Sequence, residues 1–156
     1  MTDAQKKLLC SLQSLCSRQE CCSRDIRAKA LRRLDGDEAA ADEILASLVE
    51  EKYVDDLRYA SAFAREKSSL TGWGPVKIRF ALSAKGIDRE TSDAALAAVD
   101  GDSASEKLVK LLCAKAKTLE GDPHKRLKLI KFALTRGYGY DQVEAALGSE
   151  SLAELK

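Results

Sequence analysis

Five cysteines (Cys10, Cys16, Cys21, Cys22 and Cys113) and one histidine, His124, are the side chains with the widest chemical reach in this sequence. No two cysteines have the two-residue separation of a zinc ribbon, and His124 lies far from the N-terminal cluster, so the spacing builds no metal site. Met1 to Leu12 carries Asp3 and alternates polar with apolar positions, which reads as a helix rather than a secretory leader. That reading and the odd cysteine count argue against a disulfide framework. Cys10 and Cys113 fall among leucines and are expected in the core, while Cys21-Cys22 leaves redox sensing as the alternative to a structural role.

The remaining candidates for catalysis fail on geometry. His124 stands between Pro123 and Lys125 with no nucleophile beside it. Asp55-Asp56 is the conspicuous acidic pair, but neighbours on a helix point about 100° apart and cannot share a proton or clamp a metal. Their expected role is to cap a helix. Gly72-Trp73-Gly74-Pro75 lacks the preceding strand and the Gly-Lys-Ser/Thr ending of a phosphate loop. No catalytic set, cofactor site or metal site emerges. The expectation is a protein that acts by binding and is not an enzyme.

The elements that carry these residues read as helices throughout. The 156 residues are 45% hydrophobic and only 5% aromatic, with two prolines, which supports a core and disfavours an all-β fold. No stretch approaches the roughly 20 apolar residues needed to cross a bilayer, so a cytoplasmic protein without a membrane partner is expected. Thr2 to Gln5 offers a capping box, followed by Leu8, Leu9, Leu12 and Leu15 at helical spacing. Ile26, Ala30 and Leu34 stripe a second helix, and Ile44, Leu45, Leu48 and Val49 stripe a third. Asp55 and Asp56 start a fourth helix, Gly74-Pro75 a fifth and Asp88 a sixth. Ser103 to Glu106 starts a seventh, Asp122-Pro123 an eighth and Asp141 a ninth.

Glycines close the second, fifth and eighth of these at Gly36, Gly86 and Gly137, near-equal intervals of 50 and 51 positions. Ala30-Leu31, Ala81-Leu82 and Ala133-Leu134 precede them in turn. A period near fifty predicts an all-α, elongated array of three tandem three-helix repeats over 1–52, 53–100 and 101–152. Such an array suits binding along something extended.

Charge is nearly balanced, with Lys+Arg 26 and Asp+Glu 25, yet segregated. Asp35 to Asp56 holds nine carboxylates and one base, Lys52; Lys107 to Arg136 holds nine bases and two carboxylates, Glu120 and Asp122. A partner carrying both signs fits this layout, and so do solvated helix faces.

The stretch Tyr53-Val54-Asp55-Asp56-Leu57-Arg58-Tyr59-Ala60, then Arg65, Gly72-Trp73-Gly74-Pro75, Ile78, Leu82 and Lys85-Gly86-Ile87, resembles the central repeat of the RecX family, regulators of the RecA recombinase. The shared pattern runs from Tyr53 to Ile87, with Lys52 where the family often has glycine. Arg18, Glu20, Asp25-Ile26 and Lys29 resemble the family's first repeat; Cys22 replaces its usual capping serine and Ala30 its usual leucine. Ser23 is expected to take over that cap. The third repeat matches only loosely. The resemblance implies three tandem three-helix repeats lying in the groove of a RecA filament on single-stranded DNA and bridging neighbouring protomers; a monomer is expected. There it would modulate, usually inhibit, ATP hydrolysis, strand exchange and stimulation of self-cleavage in the SOS response. A helical DNA-binding module and a scaffold unrelated to RecA are the alternatives.

Eight residues are candidates for contact with such a partner. Arg58 either touches it or pairs with an upstream acid, and Trp73 either inserts into a pocket or staples its own turn. Lys77, Arg79 and Lys85 lie on different sides of the fifth helix. Lys125, Lys128 and Lys131 are candidates for an anionic contact, set off a Leu127, Ile130 and Leu134 stripe that is expected to be core.

Overall fold

Local side-chain chemistry starts most of the helices. The computed structural model describes residues 1–99 and 101–148, apart from the side chains of 101–104. Nine helices and no strand occur among the described residues. In α1 (Asp3–Arg18) the Thr2 hydroxyl accepts the Gln5 N–H at 3.1 Å while the Gln5 side chain accepts the Thr2 N–H at 2.9 Å, the expected capping box. Asp37 caps α3 (Glu38–Glu50) through the Ala40 N–H, and Asp55 caps α4 (Asp56–Leu70) through the Arg58 N–H. Asp88 does the same for α6 (Arg89–Ala97) through Thr91. Each such cap is worth about 1 kcal/mol.

Three starts differ from expectation. Cys22 precedes α2 (Ser23–Arg33) without a side-chain cap, and Ser23 does not supply one. Ser23 is the first helical residue and donates its N–H to the Asp56 carboxylate at 2.8 Å, so the acceptor arrives from 33 residues away. Asp56 thus sits at the positive ends of both α2 and α4. Helix α7 (Gly101–Thr118) begins two residues before Ser103, whose side chain lies outside the described residues. Helix α8 (Lys125–Thr135) follows a turn in which Asp122 accepts the His124 N–H at 2.8 Å.

The chain divides into two packing units, one of Met1–Ala62 with Leu82–Ala95, the other of Phe63–Ala81 with Leu96–Lys156. In the first, α1, α2 and α3 close around Leu12, Ile26, Ile44 and Leu48. In the second, α7, α8 and α9 (Tyr140–Leu147) close around Leu112, Leu129, Ala133 and Val143. Helix α4 gives Ala60 to the first unit and Ala64 to the second, both fully buried. Helix α5 (Pro75–Ala84) likewise begins in the second unit and ends in the first.

The spaced glycines show how the repeat is used. In the first unit Gly86, at φ +78°, lies against the side chain of Arg24 in the first turn of α2, and the Arg24 guanidinium donates to the Ala84 carbonyl at 2.8 Å. In the second unit Gly137, at φ +94°, lies against Lys77 in the first turn of α5, so closely that a Cβ would fall 2.1 Å from Lys77 Cβ. The Gly137 carbonyl accepts the Val76 N–H at 2.9 Å, and the Arg136 carbonyl accepts the Gly74 N–H at 2.8 Å. The end of one middle helix therefore satisfies the orphan donors at the start of the preceding one. Gly74 has no room for a side chain because the Gly137 carbonyl occupies that space. Gly36 meets nothing within 4 Å.

Burial corrects four expectations. Cys10 is exposed and Cys113 half-buried; the buried thiols are Cys16, Cys21 and Cys22. Val49 is 47% exposed, its place in α3 taken by Ala40 and Ala41. The α8 stripe is rotated: Leu127 is 67% exposed and Leu134 44%, whereas Leu129 and Ala133 are buried. Leu129 and Ala133 are the α8 residues that enter the core formed with α7 and α9.

Candidate partner-binding surface

Arg58, at the first turn of α4, uses its guanidinium inside the first unit. Its Nε pairs with Glu20, and its terminal nitrogens donate to the carbonyls of Lys52 and Tyr53 at 3.1 and 3.2 Å. Lys52 adopts φ +62°, a left-handed conformation suited to glycine, and Arg58 secures the carbonyl that this turn presents. The expected pairing with an upstream acid is therefore made, by Glu20. The Glu20 hydrogen bond also raises the pKa of an already permanent cation.

Lys85, at the end of α5, pairs with Asp25 of α2 at 2.9 Å. That hydrogen bond holds the Asp25 carboxyl below its usual range and lifts the Lys85 ammonium above its own. Both members are nearly half exposed, so the pair fixes geometry more than it stabilises. Tyr59 is half-buried beside this pair, and burial raises its phenol pKa. Burial also pushes the Cys16 thiol up to about 12, followed by its hydrogen bond with Cys21. A thiol with so little thiolate at neutral pH is a poor nucleophile.

Trp73 belongs to the second unit and is enclosed by its own neighbours. Phe63 meets the indole edge-on at 6.3 Å, and the ammonium groups of Lys67 and Lys77 lie 4.8 and 4.5 Å from its ring. The indole also lines a cavity of about 140 Å³ with Pro75, Ile78 and Tyr138. This geometry supports the turn-staple role. Lys77 is thereby engaged twice, over the indole and against Gly137. Arg79, two residues on, is exposed.

The three α8 lysines do not form one uniform face. Lys128 pairs with Asp122, whose carboxyl is held below its usual range chiefly by that hydrogen bond. Lys131 is exposed, and Lys125 is half-buried. Rotation of α8 places exposed Leu127 and Leu134 on the same side as Lys131.

A second cationic feature was not singled out by spacing. Lys107 and Lys110 of α7, with Arg136 at the end of α8, line an open groove of about 380 Å³ beside the loop after α4. Lys107 donates to the Ser69 hydroxyl at 3.3 Å, and Arg136 donates to the Thr71 carbonyl at 3.2 Å while lying over Phe132. Leu70, 79% exposed, and Leu111 supply apolar surface. Lys107 and Lys110 at three-residue spacing, with a base just before the closing glycine, were the available signal; their meeting across α7 and α8 depends on the tertiary fold.

Among the described residues no group of three or more His, Cys, Asp or Glu is placed to hold a metal ion. No described helix is long and apolar enough to cross a membrane.

Comparison with known proteins places this arrangement. Residues 55–96 match the family model described as RecX, second three-helix domain. A regulatory protein RecX of Neisseria meningitidis serogroup A is 35% identical over 112 residues, covering 70% of this chain and 69% of that protein. One from Clostridium botulinum strain Alaska E43 is 33% identical over 112 residues. The match takes in 69% of this chain but only 52% of that relative, about half its length. The crystal structure of RecX from Lactobacillus salivarius superposes with a TM-score of 0.89 at 27% identity, covering 99% of each chain. The motif around Arg58 and Trp73, the relatives' sequences and the shared three-helix architecture agree, and the chain belongs to the RecX family of regulatory proteins.

Proposed function

We propose that this chain regulates a RecA-type recombinase by binding its filament on single-stranded DNA, most simply as an inhibitor of ATP hydrolysis, recombination and the SOS response. The observation that carries the reading is family membership, together with near-complete superposition on a RecX crystal structure. In this reading the protein works as a cytoplasmic monomer, and its three repeats, 1–52, 53–100 and 101–152, engage successive protomers. It acts by binding and not by catalysis, in keeping with the family's regulatory description.

Half of the candidate residues then have indirect roles. Arg58, Trp73, Lys77 and Lys85 hold the surface in shape through the contacts described above. Arg79, Lys125, Lys128 and Lys131 are the candidates for direct charge contact, which sets encounter rate and orientation more than affinity. The test is DNA-stimulated ATP hydrolysis by a RecA-type protein as this chain is added. Hydrolysis should fall at amounts below one chain per protomer, because one bound chain spans several. Unchanged hydrolysis at equimolar chain contradicts the proposal.

A further inference from the structure

The groove between α7 and the loop after α4 has a composition that the filament reading does not explain. Its lining holds three cations, Lys107, Lys110 and Arg136, and no carboxylate. Its apolar part is Leu70, Leu111 and Ala114. Leu70 stands 79% exposed at the end of α4, next to Thr71 and Gly72 of the loop. An exposed leucine beside cations suits a partner that brings an apolar side chain together with negative charge.

Two anionic partners are chemically possible, an acidic protein segment or a nucleic-acid strand. Grooves that hold single strands pair their cations with aromatic rings on which bases stack. This groove has no aromatic lining residue. The nearby indole of Trp73 is already taken by Lys67, Lys77 and Phe63. Leucines offer a base no comparable platform. They do offer a pocket wall to an aliphatic side chain, while the surrounding ammonium and guanidinium groups answer flanking carboxylates.

We propose that this groove docks an acidic peptide segment of a partner protein, one that carries a large aliphatic residue between Asp and Glu side chains. Lys107 and Lys110 contact the carboxylates, and Leu70 and Leu111 receive the aliphatic residue. Arg136 helps shape the floor, since its guanidinium is tied to Thr71 and Phe132. The inference rests on the geometry of the second unit and does not require the recombinase reading.

The experiment is fluorescence anisotropy on the intact chain with three probes. These are a short Asp/Glu-rich peptide with one central leucine, the same peptide with serine in that place, and an oligothymidylate. The leucine peptide should bind in roughly the micromolar range and weaken with salt. Replacing its leucine by serine, or Leu70→Ser in the protein, should each weaken binding about tenfold. Lys107→Glu with Lys110→Glu should weaken it by at least about tenfold. Circular dichroism and melting of each variant establish that it is folded. If the double charge variant fails to fold, Leu70→Ser and the serine peptide decide the outcome alone. Equal binding of the leucine and serine peptides overturns the proposal, as does peptide binding that ignores the groove variants. Oligothymidylate binding that the double charge variant abolishes also overturns it, and makes the groove a nucleic-acid site.

Discussion

Gly137→Ala is expected to destabilise the second unit by about 3 kcal/mol, whereas Gly36→Ala is expected to cost about 1 kcal/mol. Both glycines have left-handed backbone, so both substitutions carry the strain of an L side chain at positive φ. Only Gly137 has no space: its Cβ would lie 2.1 Å from Lys77 Cβ and 2.8 Å from the Lys77 nitrogen. Relieving that overlap pulls the end of α8 from the first turn of α5, breaking the bond from the Val76 N–H to the Gly137 carbonyl and that from the Gly74 N–H to the Arg136 carbonyl. Trp73, the sole tryptophan, sits in this unit and reports on it directly. Urea titration by Trp73 fluorescence should show an earlier midpoint for Gly137→Ala than for Gly36→Ala. Coincident midpoints contradict the close approach.

The second large effect tests the rotation of α8. Leu129→Ala removes a side chain that is 4% exposed within the second core and should cost about 2–4 kcal/mol. Leu127→Ala, at 67% exposure, should stay within about 0.5 kcal/mol of the parent. The same urea titration compares them. The reverse order restores the stripe of Leu127, Ile130 and Leu134 that helical spacing suggests.

That rotation shows where sequence reasoning stops. Leu127, Leu129, Ile130, Phe132, Ala133 and Leu134 surround the α8 axis, so several stripes satisfy helical spacing equally. The choice among them is made by tertiary contacts, with Gly137 against α5 and Phe132 beneath Lys115 and Arg136. Helix starts were legible where the cap is local, as at Thr2, Asp37, Asp55 and Asp88. The start of α2 was not, because its acceptor, Asp56, is distant in sequence and no local pattern encodes it. The glycine period was legible, and its reason was not: Gly86 and Gly137 lie against the preceding repeat, while Gly36 lies against nothing.

Charged candidates were harder to read, since a base shows its sign in sequence but not its partner. Arg58, Lys85 and Lys128 are engaged by Glu20, Asp25 and Asp122. The cations lining the groove, by contrast, come from two helices and gain meaning only when the fold brings Lys107 and Lys110 to Arg136.

The central claim, regulation through a recombinase filament, is tested most directly by co-sedimentation of this chain in three mixtures. One contains a RecA-type protein assembled on single-stranded DNA with a slowly hydrolysed ATP analogue. The other two contain that protein without DNA, and the DNA alone. The proposal predicts that the chain pellets with the assembled filament at less than one copy per protomer and remains in the supernatant of the other two. Equal recovery with naked DNA, or none with the filament, would contradict it.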